Sequence, residues 1–544
     1  MHINIKSSIT LTVAFIFFLL FLAVSSCKKG TGVEEPGRPN ILFAISDDQT
    51  FAHTGFAGSR IVHTPAFDRV AREGVYFSNC FAGSPGCAPS RSSLVTGRYH
   101  WQNEQSGQHA SSWLKKHVPF VDLLEANGYV TGRTGKGVSP FRYARDEKDS
   151  LWRSTDAAGI AHSNIRYEDG SPGDERPAKF ISPVNYFENF RYFMENVRGN
   201  KPFFFWYGAT EPHRNYEQNA WKRTDKNPDD VVVPGFFPDH DIIRGDILDY
   251  AVEIDWFDLH LQRMLEYLEE KGELENTIVM VTSDNGMPFP RAKANCYEYG
   301  IHVPFAVRFP KDYPGGRIVD DLLSFADLAP TILEITGTGS HGMLPMSGRS
   351  ILNILKSKNS GVVDHTKNYV FAGRERHSSS RYLNWGYPQR AVRSHDYLLI
   401  WNMKPDRWPA GAPQRIKPGT ENELLPMYGV DENGKYQVGQ AFTDIDAAPA
   451  KTYIIENWQD KSIRPFFDLA HAKRPEFELF HIKNDPYNLN NLAGNPNYKE
   501  VEEELKNVLL TELEKSQDPR IVGPEKEIFD SYIRYSPMRE FPKP

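Results

Sequence analysis

Asn40-Ile41-Leu42-Phe43-Ala44-Ile45-Ser46-Asp47-Asp48 is the stretch that decides the fold. Its first seven residues are largely apolar and of strand length, as for a parallel strand buried on both faces, and they run straight into two carboxylates. The same arrangement recurs twice. Lys201-Pro202 introduces Phe203-Phe204-Phe205-Trp206-Tyr207-Gly208, after which the chain carries Glu211-Pro212-His213-Arg214. Thr277 to Ser283 (TIVMVTS) then delivers Asp284-Asn285-Gly286. Between these two runs Ile247, Ala251, Ile254, Phe257, Leu261, Leu265 and Leu268 recur at three- and four-residue steps and stop near Lys271-Gly272, the stripe of a helix that covers a sheet. The alternation predicts an α/β fold over residues 38 to about 360. Ligands of open α/β sheets bind beyond the carboxyl ends of the strands, so Asp47, Asp48, His213, Asp284 and Asn285 are expected along one rim. One Asp after a strand reads as a turn-former or helix cap; three strands that all end this way read as a site.

Three carboxylates and a carboxamide make an all-oxygen ligand set, which suits Ca2+ or Mg2+ and suits zinc poorly. Without a cation, their mutual repulsion would cost on the order of several kcal/mol unless their pKa values rose to neutralise them.

At 544 residues the chain exceeds one ordinary core, which predicts a large α/β domain over 38–360 that carries the rim and a smaller α+β domain over 361–544, expected to complete the pocket beside it. In the latter, 369–372 and 397–401 read as strands and 501–513 as an acidic amphipathic helix. A composition with 40% hydrophobic and 24% charged residues is that of a globular protein. A net charge of −7 argues against the broad basic surface that nucleic-acid binding needs, so any anion must meet a local cluster of cations.

The N-terminus reads as an export signal: Lys6, an apolar run from Ile9 to Val24, then small residues before Cys27. Leu22-Ala23-Val24-Ser25-Ser26-Cys27 resembles the bacterial lipobox. That resemblance implies cleavage after residue 26, a lipid on Cys27, and a periplasmic or outer-membrane location with membrane contact only through the anchor. Residues 28–37 read as a flexible tether. Of the four cysteines, three remain after Cys27 is assigned, an odd number for an oxidising compartment. Cys80 and Cys296 read as buried small hydrophobes, which leaves Cys87 for another fate.

Cys87-Ala88-Pro89-Ser90-Arg91, followed by Thr96-Gly97-Arg98, resembles the signature of the type I sulfatases, whose fold is an alkaline-phosphatase-like mixed sheet sandwiched by helices. The resemblance runs from Pro39 to about Ala493. It implies that Cys87 is oxidised to formylglycine (3-oxoalanine) by a formylglycine-generating or anaerobic sulfatase-maturing enzyme. It also implies that the hydrated aldehyde supplies the nucleophile, that residue 87 joins Asp47, Asp48, Asp284 and Asn285 around the metal, and that Arg91 stabilises the hydrate. By the same resemblance Lys136 contacts the sulfate, His213 is the general acid for the leaving oxygen, and Lys293 is a further sulfate-contacting cation, with Arg291 as its alternative. The family's usual Lys-x-His is broken here, since the chain reads Lys136-Gly137-Val138-Ser139.

Four stretches resemble the heparan N-sulfatase branch: 99–104 (YHWQNE), 231–238 (VVVPGFFP), 284–290 (DNGMPFP) and 386–393 (GYPQRAVR). The resemblance implies a sulfated glycan as substrate, with N-sulfoglucosamine and O-sulfated glycosaminoglycan or algal polysaccharide both open. Arg374, Glu375 and His377 follow a strand and are expected to line the sugar pocket. One rival reading is a zinc phosphatase or phosphodiesterase, which needs a Ser or Thr nucleophile and several His and Asp ligands at places where this chain offers neither. The other is a glycan-binding lipoprotein with an unmodified Cys87.

Overall fold

The computed structural model describes residues 38–143, 155–426 and 441–544; Cys27 and the tether at 28–37 lie outside them. Pro39–Pro544 forms one compact unit. Its frame is a mixed sheet of eight strands: β1 (Asn40–Ser46), β2 (Val75–Phe81), β3 (Val130–Gly135), β4 (Phe203–Gly208), β5 (Thr277–Ser283), β6 (His302–Arg308), β7 (Arg317–Val319) and β8 (Leu323–Ser324). The spatial order is β8-β2-β6-β5-β1-β4-β3, with β7 also on β2. Only β6 runs against its neighbours; the other pairings are parallel.

The period-two alternation of the strands feeds two cores. Ile41, Phe43 and Ile45 join Phe204, Trp206, Ile278 and Met280 on one face. That face is covered by α2 (Cys87–Thr96), α3 (Phe120–Ala126) and α6 (Leu328–Ile335). Leu42 and Ala44 join Phe203, Phe205, Tyr207, Val279 and Val281 on the other, under α1 (Pro65–Glu73), α4 (Tyr186–Asn196) and the second half of α5 (Asp241–Glu270). A buried side chain of this size contributes about 1.5–3 kcal/mol, which is why near-continuous apolar runs become central strands. The apolar stripe on 247–268 lies within α5, which ends at Lys271 as expected.

Four parallel strands stop at one level: Gly135 pairs with Gly208, Gly208 with Ile45, and Ser46 with Ser283. β3 runs to Gly135 and thereby delivers Lys136 to this rim. Gly208 permits the closeness there, since a Cβ on it would lie 1.9 Å from Lys136 O. Lys136 N donates to Gly208 O at 2.7 Å, and Trp206 Nε1 donates to Lys136 O at 3.0 Å.

The expected C-terminal α+β part is a four-stranded antiparallel sheet in the order β9 (Val370–Arg374), β10 (Gln389–Arg393), β11 (Tyr397–Asn402), β12 (Phe477–His481). One face packs Val370, Ala372, Ala391, Leu398 and Ile400 on Phe81, Ile301 and Leu322 of the main sheet region. The other holds Leu505, Leu509 and Leu513 of α7 (Lys499–Lys515). Cys80 and Cys296 are buried free thiols, as read from the sequence. Among the described residues no helix is long and apolar enough to cross a membrane.

Candidate active site

The rim residues converge. Asp284 N donates to Ser46 O at 3.2 Å, and Asp284 Oδ1 accepts from Asp48 N at 3.0 Å, so β1 and β5 hand their acids to one point. Asp48 takes a left-handed backbone (φ 76°), a conformation that Asp tolerates better than most residues. It accepts from Asn285 Nδ2 at 2.7 Å through Oδ1. Asp47, Asp48, Asp284 and Asn285 are all fully buried.

Residue 87 opens α2 immediately after Gly86, and every residue of that helix is buried. Its polar side chains are satisfied locally: Ser90 Oγ donates to Asp284 O at 2.6 Å, Ser93 Oγ to Pro89 O at 3.1 Å and Thr96 Oγ1 to Ser92 O at 2.7 Å. Gly97 closes the helix in the left-handed region, φ 67°. One turn beyond Cys87, Arg91 Nε donates to Asp284 Oδ2 at 2.6 Å, and NH1 donates to Gly137 O at 3.1 Å. Arg91 thus ties the β5 acid to the loop that carries Lys136.

Lys136 Nζ lies 2.5 Å from Asp47 Oδ2, and Lys293 Nζ lies 2.6 Å from Asp48 Oδ2 and 3.2 Å from Asp446 Oδ2. Burial pushes the Asp47 carboxyl up, but Lys136, with His213 and Arg91, outweighs it and holds the group below its ordinary value. Asp284 goes the other way, because burial outweighs Arg91. Burial also lifts the Cys87 thiol, against Lys136. His213 places Nε2 3.8 Å from Asp48 Oδ2, while Nδ1 contacts Arg214 O at 2.6 Å. A carbonyl can only accept, so Nδ1 carries the proton and Nε2 faces the acids.

The structure gives Arg291 a different place from its expected substrate contact. Its guanidinium donates to Leu469 O and Asn488 O and lies 4.0 Å over the Tyr297 ring. Arg291 and Ala294 both have positive φ (66° and 61°), and the loop's winding turns Lys293 inward and Arg291 away. Arg374, expected to line the sugar pocket, is buried and ion-paired to Asp444 at 2.6 Å. Glu375 is held by Arg390 and Arg520 at 2.8 and 2.7 Å. Of that trio only His377 reaches the site. A Cβ on Gly86 would meet its Cδ2 at 3.3 Å, and Asp444 Oδ1 lies 3.7 Å from its Nδ1. The sequence reading missed Asp446, which shares Lys293 with Asp48, and His109, whose ring centroid is 5.6 Å from that of His377. Both stand in loops without periodicity, where no local pattern marks them.

A cation fits this donor set. Single ligand atoms of Asp47, Cys87 and Asp284 lie within 4.8 Å of one another. Asp47 Oδ1 and Asn285 Oδ1 are buried acceptors with no hydrogen-bond partner, an arrangement that costs free energy unless a cation or donor completes it.

The sulfatase family profile matches residues 39–338, and the profile described as N-sulphoglucosamine sulphohydrolase, C-terminal, matches residues 292–409. An ulvan-active sulfatase of Formosa agariphila is 26% identical over 471 residues, covering 79% of this chain and 74% of the relative. Human N-sulphoglucosamine sulphohydrolase is 27% identical over 409 residues, covering 67% of this chain and 73% of the human protein. A structure solved in complex with its substrate D-glucosamine-2-N,6-O-disulfate shares the fold at a TM-score of 0.59, with 18% identity over 88% of this chain and 98% of that one. The first profile alone spans more than half of the 544 residues, and the chain belongs to the sulfatase family of sulfuric ester hydrolases.

Proposed function

We propose that the protein is an exported, lipid-anchored sulfatase that removes sulfate from a sulfated glycan, with Cys87 oxidised to formylglycine and Ca2+ or Mg2+ held by Asp47, Asp48, Asp284 and Asn285 beside it. The observation that carries this reading is the pair of buried oxygens without a hydrogen bond, Asp47 Oδ1 and Asn285 Oδ1, in the cluster around residue 87. When bound, the cation and the oxidised side chain supply a polarised sulfate and a nucleophilic oxygen.

The chain's own residues do the rest. Residue 87 sits at the N-terminus of α2, whose dipole favours an anion. Lys136 and Lys293, anchored at 2.5 and 2.6 Å on Asp47 and Asp48, oppose the charge that develops on the sulfate oxygens. Arg91 fixes the Lys136 loop through Gly137 O, so its role is to position as well as to neutralise. His213, protonated on Nε2, gives a proton to the leaving oxygen and returns to the tautomer fixed by Arg214 O. Cys27 carries the lipid, and the cysteine-oxidising enzyme is the maturation partner. The substrate lies among N-sulfated glucosamine, O-sulfated glycosaminoglycans and algal polysaccharides; this range rests on the heparan N-sulfatase-like stretches and on the names of the relatives.

The test combines mass spectrometry of the Cys87 peptide from the native host with sulfate release from defined heparan, chondroitin and algal oligosaccharides. It is run before and after chelation, with Ca2+, Mg2+ or Zn2+ returned. Oxidised Cys87 and release restored by Ca2+ or Mg2+ are expected. An unmodified thiol with no release from any glycan would sink the reading in favour of a binder.

A further inference from the structure

The His377 side of the site is closed by residues 532–539. Tyr535 N donates to Ala110 O at 2.7 Å, Ser111 Oγ to Ile533 O at 2.8 Å, Arg376 NH1 to Tyr532 O at 2.6 Å and Arg539 N to Ser379 Oγ at 2.9 Å. These bonds clamp residues 532–539 between the 109–111 and 376–379 segments. Arg534 is thereby held over the two histidines, its NH1 3.4 Å from His109 Nδ1 and 3.4 Å from His377 O. His377 in turn rests against Gly86, the residue before Cys87.

The charge balance of this wall is uneven. Asp444, the acid behind it, is taken by Arg374 and Arg381 at 2.6 and 2.5 Å. Arg390 and Arg520 are neutralised by Glu375 together with Asp518 and Glu527. Among the described residues no carboxylate forms an ion pair with Arg534, Asp444 acts on it only from beyond contact, and its Nε is buried without a hydrogen-bond partner. The groups that act on His109, after burial itself, are His377, Arg534, Lys136 and Lys293, and they keep its ring neutral. Because Arg534 can only donate, His109 Nδ1 accepts and the proton of the neutral ring sits on Nε2, a donor. A partly buried guanidinium with no carboxylate in contact pays for its desolvation without a direct ion pair, and a ligand anion can supply that contact. Its planar fork suits the paired oxygens of sulfate and carboxylate alike.

We infer that Arg534, His109 and His377 form a second anion subsite, which takes another negatively charged substituent, sulfate or carboxylate, of the sugar whose scissile sulfate lies at residue 87 or of its neighbour. The inference rests on the reading above for the place of the first sulfate. Arg534 lies beyond the residues matched by either family profile, whereas His109 and His377 lie within them.

Chain made without maturation binds without turnover, so affinity can be measured apart from activity. Calorimetry would compare glucosamine 6-sulfate, glucosamine-2-N,6-O-disulfate and a 6-sulfated disaccharide bearing a uronate. The expected result is that Arg534→Gln weakens at least one two-anion ligand tenfold or more beyond its effect on the one-anion ligand. His109→Gln should shift in the same direction, and Arg534→Lys should lie between. The ligand that suffers tells sulfate from carboxylate. Equal losses on all ligands, no loss, or a wild-type chain that does not prefer two anions over one would each overturn the subsite. His109→Gln carries the test if Arg534→Gln lowers the melting temperature. Failure of the matured protein to release sulfate from any glycan would be a failure of the function reading instead, and the two are separately visible.

Discussion

Asn285 does two jobs with one amide: Nδ2 holds Asp48, and Oδ1 is left free among the carboxylates. Asn285→Ala removes both, and divalent-ion affinity should fall by about 10- to 100-fold, read by chelator competition at fixed pH, with little change in melting temperature without metal. Asn285→Asp should retain more affinity, since it keeps an oxygen ligand. Asp47, Asp48, Asp284 and Asn285 were legible because each follows a strand whose apolar run is unmistakable. Lys293 and Arg291 were not separable, because side-chain direction in a loop with two positive-φ positions depends on turns that no residue pattern encodes. Asp446, His109 and Arg534 were invisible for a related reason: tertiary contacts bring them from three unrelated loops.

Among the elements, Glu298 joins the two sheets. It lies 2.7 Å from Arg393 Nε on β10 and 3.1 Å from His302 Nδ1 on β6. Burial pushes its carboxyl up, but Arg393 and His302 bring it down from 4.5 to about 2. A carboxyl whose folded value is depressed stabilises the fold above its unfolded value and loses that contribution as pH falls through the folded one. The gap corresponds to about 3 kcal/mol at neutral pH. Glu298→Gln should therefore melt well below wild type at pH 7, and the difference should shrink steadily between pH 5 and pH 2.5 in calorimetric scans. A constant difference would mean that packing, not charge, is what the substitution removes. The elements themselves read well: the strands at 203–208 and 277–283 appear with the expected bounds. The way the small sheet lies on Phe81 and Leu322 did not read, because a β-face shows that it is covered and not by what.

At the scale of the whole molecule, a chain of net charge −7 must take an anionic glycan through local cations alone. Substrate KM should accordingly rise severalfold between about 0.05 and 0.5 M salt, with kcat nearly constant, since screening acts on approach more than on contact. The proposed anchor is tested by Cys27→Ser, which should move the protein from the membrane fraction to the soluble one without loss of specific activity.

Cys87 is 2% exposed, and the helix it opens is buried throughout its length. A second protein's catalytic groups cannot grip a side chain so enclosed, so the proposed oxidation must happen on a chain still threading its way toward the native state. Native protein isolated with an intact thiol should stay inert when the oxidising enzyme is added, while a short peptide spanning the same residues should be converted. The time between synthesis and closure of α2 against β5 then sets how many molecules ever become active.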